Sequence, residues 1–462
     1  METRNKPTAA RKNRFLFFLL ALFLAIAATW LVDEPAFTQA QTRVLFLLFF
    51  SVGLWLTEAV PPFSVGLFIV AFLVLALGHE LFTDNPTDVH IYTNTFSSSI
   101  IWLMLGGFFL AAAMTKVKLD AALIQKTLSL CGSDPKWILF GMMSVTMIAS
   151  MLISNTATTA MVVAALVPLL QRLGKESPIS KALILGIPIS ATTGGMGTII
   201  GSPPNAIAAG ALAGVGKPVD FIEWIFYGFP VAVVLTFVAW WVLVRIFMKH
   251  AVPLSMNKEW LNKNSENDQA SLWQRGTVII ILLATLLLWL TSPIHGLSAA
   301  TVSAIPLVLL PLTRIVTGED IRSMGWDTLL LVAGGLALGA ALQQTGLLNL
   351  YALRIVELNV SNVVFFFLLA YATMLFSNIM SHTATSTVLI PLGMAILPNN
   401  LVEVAMIISL SASTALFLPV STPPNAIAYS TGFIEQKDFR IGGALVGLLG
   451  PAFIVLWVLL IS

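Results

Sequence analysis

Two short polar motifs each occur twice in a chain that is otherwise strongly apolar. SNTATT at 154–159 returns as SHTATS at 381–386, and PPNAIA at 203–208 returns unchanged at 423–428. Hydroxyl and amide groups can hold an anion or a hard cation without carrying a fixed charge. Because capping Ser, Thr or Asn residues and N-terminal proline favour the start of a helix, each motif predicts a helix N-terminus.

Four such N-termini indicate an anion site. The N–H groups at the start of a helix and the helix dipole favour negative charge, and an anion with two negative groups can use both copies. The motifs contain no Lys, Arg, Asp or Glu. A coupling cation would therefore find only hydroxyl, amide and backbone carbonyl oxygens, which suits an alkali ion such as sodium.

The composition indicates that the motifs lie within a lipid bilayer. Of 462 residues, 57% are hydrophobic and 10% are charged, which excludes a soluble globular protein. The net charge of +2 offers no basic surface for nucleic acid. A single cysteine, Cys131, cannot form an intramolecular disulfide.

The lysines and arginines predict how the chain crosses the membrane. All but Arg43, Lys217 and Arg354 of the 24 precede the first apolar run or lie in alternate connecting segments, which the positive-inside rule makes cytoplasmic. We expect eleven crossings of the inner (plasma) membrane, with a cytoplasmic N-terminus and the C-terminus outside. The predicted spans lie near residues 15–32, 44–57, 62–77, 98–115, 182–213, 225–248, 276–294, 297–313, 328–345, 405–432 and 441–461.

Two further apolar stretches do not fit as crossings. Residues 137–171 and 363–397 each number 35, about 52 Å of helix, which is too long for one span and too short for two spans with a turn. Basic residues flank both ends of the first stretch and neither end of the second. The sequence therefore predicts two re-entrant hairpins, one entering from the cytoplasm and one from outside.

The order of the repeated motifs predicts an internal duplication of inverted topology. WLT at 55 and 289, the Gly pairs at 106 and 334, and the two polar motifs recur with offsets of 234, 228, 227 and 220 residues. The first copy begins on an outside-to-inside helix and the second on an inside-to-outside helix, as in secondary transporters. We expect the Gly pairs to serve close helix packing. The predicted divisions are an N-terminal helix and cytoplasmic tail (1–43), a first repeat (44–248), a cytoplasmic linker (249–275) and a second repeat (276–462).

From WLTEAVPP to the second PPNAIA, the chain resembles the divalent anion/sodium symporter family, the INDY-like carriers of di- and tricarboxylates and, in some branches, sulfate. The resemblance implies an all-α, elevator-type ion transporter fold, a homodimer and Na+ as coupling ion. The substrate-binding residues that it implies are Ser154, Asn155, Thr156, Ser202, Pro203, Ser381, His382, Thr383, Thr422 and Pro423. Its implied ligands of a first sodium ion are Ser150, Ser154, Asn155 and Gly201, and those of a second are Ser377, the Met380 backbone, His382 and Ser421.

His382 departs from the family pattern, which has asparagine at this position. A neutral imidazole would replace the amide as a donor. A protonated imidazole would add charge for a third carboxylate or for proton coupling, and would exclude the second sodium ion by repulsion. The sodium stoichiometry therefore stays open at this point.

The leading interpretation is a secondary active transporter that imports dicarboxylates of the succinate, malate or fumarate type, with citrate as a further candidate, together with sodium. A sodium-independent dicarboxylate exchanger and a sulfate carrier of the same family are the alternatives. We do not expect an enzyme, because adjacent Ser381 and His382 near a helix start point in different directions and lack a third orienting group. A channel is disfavoured, since the sequence shows no ring of charges or repeated carbonyl filter.

Overall fold

A computed structural model describes residues 9–83, 85–249, 271–348, 350 and 361–462, and within these ranges the chain is helical without a strand. The helices of eight or more residues are Ala9–Val32, Gln39–Thr57, Pro62–Gly78, Ser99–Lys116, Leu119–Leu130, Pro135–Ser150, Asn155–Leu173, Pro178–Gly195, Pro203–Gly214, Phe221–Phe247, Leu272–Leu290, Ala304–Leu312, Trp326–Gln344, Asn362–Ile379, His382–Ile396, Leu401–Ala412, Pro423–Ser430 and Leu448–Ile461. Most of the predicted linker 249–275 lies outside the described residues, as does Arg354.

Nine helices in the described ranges are long and apolar enough to cross a membrane. Four shorter apolar helices accompany them, namely Pro62–Gly78, Ala299–Leu312, His382–Ile396 and Leu401–Ala412. The outer surface is itself apolar, with Trp30 78% exposed and Leu460 76% exposed. The prediction of an all-α polytopic membrane protein is confirmed, and the number of eleven crossings stays a prediction.

Two helical hairpins occupy the stretches that did not fit as crossings. Hairpin 1 consists of Pro135–Ser150 and Asn155–Leu173, and hairpin 2 of Asn362–Ile379 and His382–Ile396. Their arms contain 16, 19, 18 and 15 residues, or about 22 to 29 Å of helix. Only four residues separate the arms of hairpin 1 and two separate those of hairpin 2, so each tip is a sharp turn bounded by a helix start.

The two PPNAIA motifs follow interruptions of long helical segments. Break 1, residues 196–202, separates Pro178–Gly195 from Pro203–Gly214, and break 2, residues 413–422, separates Leu401–Ala412 from Pro423–Ser430. Inside a bilayer, such irregular backbone is tolerated only where its polar groups find partners.

The asparagine of each PPN motif supplies those partners. The Asn205 side-chain amide donates to the carbonyls of Gly195, at 2.8 Å, and Thr198, at 2.7 Å. Asn425 makes the equivalent pair of bonds in break 2, at 3.4 and 2.9 Å. Both side chains are buried. Each Asn thus replaces hydrogen bonds that the helix would have made through the break.

Close helix crossings explain the repeated Gly pairs. A Cβ atom on Gly334 would lie 2.3 Å from the Cα atom of Gly66, and one on Gly106 would lie 2.6 Å from the Cβ atom of Ser303. Only glycine allows these approaches. The packing role predicted for the Gly pairs is confirmed, and the contacts are reciprocal because the first glycine of each pair packs against the other half.

Two elements differ from the sequence prediction. The basic connection after residue 116 contains a helix, Leu119–Leu130, which buries Ile124 and Leu128 and starts after Lys118 in a left-handed conformation (φ 56°). The predicted span 297–313 is divided into Ala299–Val302 and Ala304–Leu312. The helix Leu119–Leu130 was not predicted because its segment is rich in basic residues. An apolar stripe within such a segment changes its average hydropathy little.

Candidate functional site

Both hairpin tips and both breaks line one cavity of about 740 Å³. Every residue assigned to substrate by the family resemblance lies on its wall, namely Ser154, Asn155, Thr156, Ser202, Pro203, Ser381, His382, Thr383, Thr422 and Pro423. Of the residues assigned to sodium alone, Gly201 and Ser421 also line the cavity. Ser150 and Ser377 belong to the first arms of the hairpins, and Met380 lies in the turn between the arms of hairpin 2.

Hydroxyl groups cap three of the four helices that begin at the cavity. Ser154 Oγ accepts the N–H of Ala157 at 3.3 Å, and Ser381 Oγ accepts that of Ala384 at 3.1 Å. Thr422 Oγ1 accepts the N–H of Asn425 at 3.1 Å. These bonds agree with the capping expected at the two tips and at the second PPN motif, and they hold the helix starts in place.

Ser202 is the N-cap residue of the helix that begins at Pro203, as the Ser-Pro sequence predicts, but its side chain makes no capping bond; the N–H of Asn205 bonds to the Ser202 main-chain carbonyl at 3.1 Å. The SHT motif also predicts Thr383 as a cap beside Ser381. That prediction is wrong, because Thr383 lies one residue inside its helix and Ser381 alone caps hairpin 2.

The expectation that all four N-termini offer N–H donors also needs correction. Pro203, Pro204, Pro423 and Pro424 occupy the first two positions of their helices, and proline has no N–H group. The helices after the breaks therefore contribute mainly their dipoles. The N–H groups available to an anion are concentrated at the two hairpin tips, where the helices begin without proline.

Among the described residues that line the cavity, charged side chains lie only at its mouth: Lys116, Asp320 and Asp327. Lys116 Nζ lies 2.5 Å from Asp320 Oδ2. Burial raises the pKa of Asp320, but hydrogen bonds from Lys116 and Thr317 outweigh it, so the pKa lies below the usual carboxyl value. The pair therefore contributes its stabilisation at neutral pH and loses it as the pH falls through the lowered pKa.

Three oxygen atoms converge on the side-chain amide of Asn155 at the tip of hairpin 1. One atom of the amide lies 2.7 Å from Ser150 Oγ, 3.1 Å from the Ala191 carbonyl oxygen and 3.3 Å from the Gly201 carbonyl oxygen. With nitrogen at this position, all three oxygens lie within hydrogen-bonding distance of its two N–H donors. With oxygen there, four oxygens from three chain segments face one another, which is the environment that hard cations select. The residues present therefore fit a sodium ion.

Two glycines make room for this cluster. A Cβ atom on Gly195 would lie 2.4 Å from Asn155 Oδ1, and one on Gly201 would lie 2.7 Å from the Gly195 carbonyl oxygen. Gly195 and Ala191 were not among the predicted site residues. The GG pair at 194–195, just before a break, was the only signal that could have indicated them.

The residues assigned to the second sodium ion offer a different set of donor atoms. Ser377 Oγ is buried without a hydrogen-bond partner among the described residues, and so are both ring nitrogens of His382. Met380 directly follows the first arm of hairpin 2 and has an extended conformation. Ser421 Oγ is already engaged in hydrogen bonds, one of them with a residue that the sequence patterns did not indicate.

That residue is Asn378, which ties hairpin 2 to break 2. Its Oδ1 atom accepts the N–H of Phe417 at 3.0 Å and the Ser421 hydroxyl at 3.0 Å. Its Nδ2 atom donates to the Met374 carbonyl at 2.9 Å. Ser421 Oγ also accepts the N–H of Leu418 at 3.1 Å. Asn378 was missed because the repeat has Met151 at the equivalent position and so gave no polar signal.

Known proteins with similar sequences are membrane carriers. Residues 13–462 match the family model described as the sodium:sulfate symporter transmembrane region. A sodium-dependent dicarboxylate transporter of Staphylococcus saprophyticus is 30% identical, over 95% of this chain and 89% of that protein. The corresponding transporter of Staphylococcus aureus is 28% identical, over 87% of this chain and 82% of that protein.

Solved structures with a similar fold also belong to transporters. The YdaH transporter of Alcanivorax borkumensis, which has an unusual topology, matches with a TM-score of 0.51 at 16% identity, over 87% of this chain and 97% of that one. MtrF of Neisseria gonorrhoeae matches with a TM-score of 0.52 at 12% identity, over 89% of this chain and 96% of that one. At these identities the likeness concerns the fold alone.

Proposed function

The chain belongs to the sodium:sulfate symporter family, and from this premise we propose that it imports C4-dicarboxylates together with sodium. It is a membrane transporter and not an enzyme. The relatives named as sodium-dependent dicarboxylate transporters support both the substrate class and the coupling ion.

One observation carries the proposal: both tips and both breaks face a single cavity that has no fixed charge near the tips. One carboxylate of the substrate would accept hydrogen bonds from the N–H groups and hydroxyls of Ser154 and Thr156, and the other from those of Ser381 and Thr383. The dipoles of the helices after the breaks would add favourable potential. A sodium ion bound at Asn155 would supply positive charge beside the first carboxylate.

We further propose that transport proceeds by an elevator-like movement within a homodimer. The cavity mouth lies at the ends of Ser99–Lys116 and Trp326–Gln344 that carry Lys116 and Asp327, the side predicted to be cytoplasmic. A second cavity of about 660 Å³ lies at the opposite ends of these two helices. Movement of the tips along Trp326–Gln344 would carry the substrate from one side to the other.

The test is uptake of radiolabelled succinate into proteoliposomes of the purified protein. An inward sodium gradient should drive concentrative uptake into vesicles without internal substrate, and replacement of sodium by potassium should abolish it. Unlabelled malate and fumarate should compete.

Two outcomes would favour the alternatives over this proposal. Uptake that needs internal dicarboxylate but no sodium would identify an exchanger. Competition by sulfate at much lower concentration than by any dicarboxylate would identify a sulfate carrier. Citrate in the same competition series measures how far the cavity accepts a third carboxylate.

A further inference from the structure

The two halves of the site hold their tips by different chemistry. With an offset of 227 residues, the equivalent positions are Ser150 and Ser377, Met151 and Asn378, and Asn155 and His382. The serine is kept, whereas the other two residue types differ. The oxygen cluster of the first half therefore has no direct counterpart built from the same residues.

In the first half, the break stays linked to the tip without using the oxygens around Asn155. Thr198 Oγ1 donates to the Met151 carbonyl, and Gly201 N–H donates to Thr198 Oγ1 at 3.1 Å. The carbonyl oxygens of Ala191 and Gly201 face the Asn155 amide. A cation can enter this cluster by a simple rotation of the amide that turns its oxygen inward.

In the second half, the Asn378 amide itself forms the link between hairpin 2 and break 2. Its oxygen accepts two hydrogen bonds, from Phe417 and Ser421, so both of its lone pairs are used. Ser421 Oγ donates one hydrogen bond and accepts another from Leu418. The neutral amide thus joins hairpin 2 to break 2 with its hydrogen-bonding capacity already filled.

His382 completes the difference between the halves. Its ring offers nitrogen atoms where Asn155 offers an amide oxygen, and sodium prefers oxygen. Ser421 Oγ is already engaged in hydrogen bonds with Leu418 and Asn378, so of the implied ligands only Ser377 Oγ and the Met380 carbonyl would supply oxygen atoms to a cation. The residues implied for a second sodium ion do not fit one.

We propose that Asn378 replaces a sodium ion as the link between hairpin 2 and break 2, so that the protein has a single sodium site, at Asn155. This inference rests on the proposed function for the role of the first site. One consequence is that a fully ionised dicarboxylate taken up with one sodium ion carries one net negative charge inward.

The experiment is a thermal-unfolding titration of the purified protein with sodium chloride, balanced by potassium chloride at constant ionic strength and without substrate. Sodium that binds only the folded protein raises the free energy of unfolding. At saturation, the slope of this free energy, in units of RT, against the natural logarithm of the sodium concentration equals the number of specific sites. We expect a slope of about 1 for the wild type. Asn155→Ala should abolish the sodium-specific stabilisation.

A double variant restores the chemistry of the first half in the second. Asn378→Met with His382→Asn should raise the slope to about 2, because Ser421 is released and an amide oxygen is introduced. Asn362→Met is the matched control, since Asn362 lies at the exposed far end of the same helical arm, and its slope should equal that of the wild type.

A wild-type slope of about 2, sodium-specific stabilisation retained by Asn155→Ala, or no sodium effect at all would overturn the inference. The wild-type and Asn155→Ala titrations decide it even if the double variant does not fold. Because the titration contains no substrate, a failure of dicarboxylate uptake would contradict the proposed function alone.

Discussion

At the scale of single residues, neutral amides and hydroxyls hold the site together. Asn205 donates to two carbonyls of break 1 and accepts the Ser409 hydroxyl at 2.9 Å. Its side chain is fully buried, so none of these groups can turn to water instead. A buried polar group that loses its hydrogen-bond partner costs about 1 to 3 kcal/mol. Each of these amides therefore contributes strongly to the stability of the break that it bridges.

Asn205→Leu is expected to destabilise the protein strongly. It removes the hydrogen bonds from Asn205 to the Gly195 carbonyl and the Ser409 hydroxyl, and leaves the Thr198 carbonyl with the Gly201 N–H alone; we expect a loss of at least about 2 kcal/mol. The measurement is the unfolding temperature of the purified protein, which should fall by several degrees. Asn362→Leu, at an exposed position, should change it little, and an equal effect of both substitutions would contradict the role given to Asn205.

Gly195→Ala is expected to weaken sodium dependence. The added Cβ would lie 2.4 Å from Asn155 Oδ1, so the amide must leave the oxygen cluster. The sodium concentration for half-maximal succinate uptake should rise roughly tenfold, the equivalent of about 1.4 kcal/mol. Gly214→Ala is the control, because a Cβ there has open space. Unchanged sodium dependence in Gly195→Ala would remove Asn155 from the proposed site.

At the scale of elements, the helix Trp326–Gln344 presents small residues to the second half of the site. A Cβ on Gly335 would lie 2.7 Å from Thr387 Cγ2, and one on Gly339 would lie 3.2 Å from Pro391 Cγ. Both neighbours belong to the second arm of hairpin 2. A surface without large side chains lets one helix move along another, in keeping with the proposed elevator movement.

Gly335→Val is therefore expected to impair transport more than binding. The valine side chain would meet Thr387, so the initial rate of succinate uptake should fall at least tenfold. Stabilisation by sodium and succinate in thermal unfolding should persist, because the tips and breaks are unchanged. Gly276→Val, where a Cβ meets nothing within 4 Å, should transport normally. Normal transport by Gly335→Val would contradict movement along this helix.

Whether the sequence predicts a contact depends on how many residues separate its two partners along the chain. The caps at Ser154 and Ser381 were predictable, since capping acts within three residues along the chain. The contact of Gly195 with Asn155 spans 40 residues and the link from Asn378 to Ser421 spans 43, and neither leaves a local pattern. Repetition indicated where the tips lie but missed Asn378, because it is a departure from the repeat.

At the scale of the whole molecule, the predicted inverted repeat would bring the two hairpins to one cavity from opposite sides of the membrane. The described helices expose large apolar side chains around the molecule, which require a lipid environment. The distribution of lysine and arginine fixes the expected orientation, with the cavity mouth on the cytoplasmic side.

Reporter fusions test this orientation. Green fluorescent protein fused to a terminus fluoresces only if that terminus stays in the cytoplasm, whereas fused alkaline phosphatase is active only outside it. We expect a fluorescent N-terminal fusion and an active C-terminal phosphatase fusion, with the two reporters exchanged as controls. A fluorescent C-terminal fusion would contradict the predicted number of crossings.

The most direct measurement is a cryo-electron microscopy map of the protein in lipid nanodiscs with sodium and succinate. The account predicts density for the dicarboxylate between the tip at Ser154 and Thr156 and the tip at Ser381 and Thr383, with each carboxylate facing a helix start. Density elsewhere in the molecule, or density that contacts only one tip, would contradict it.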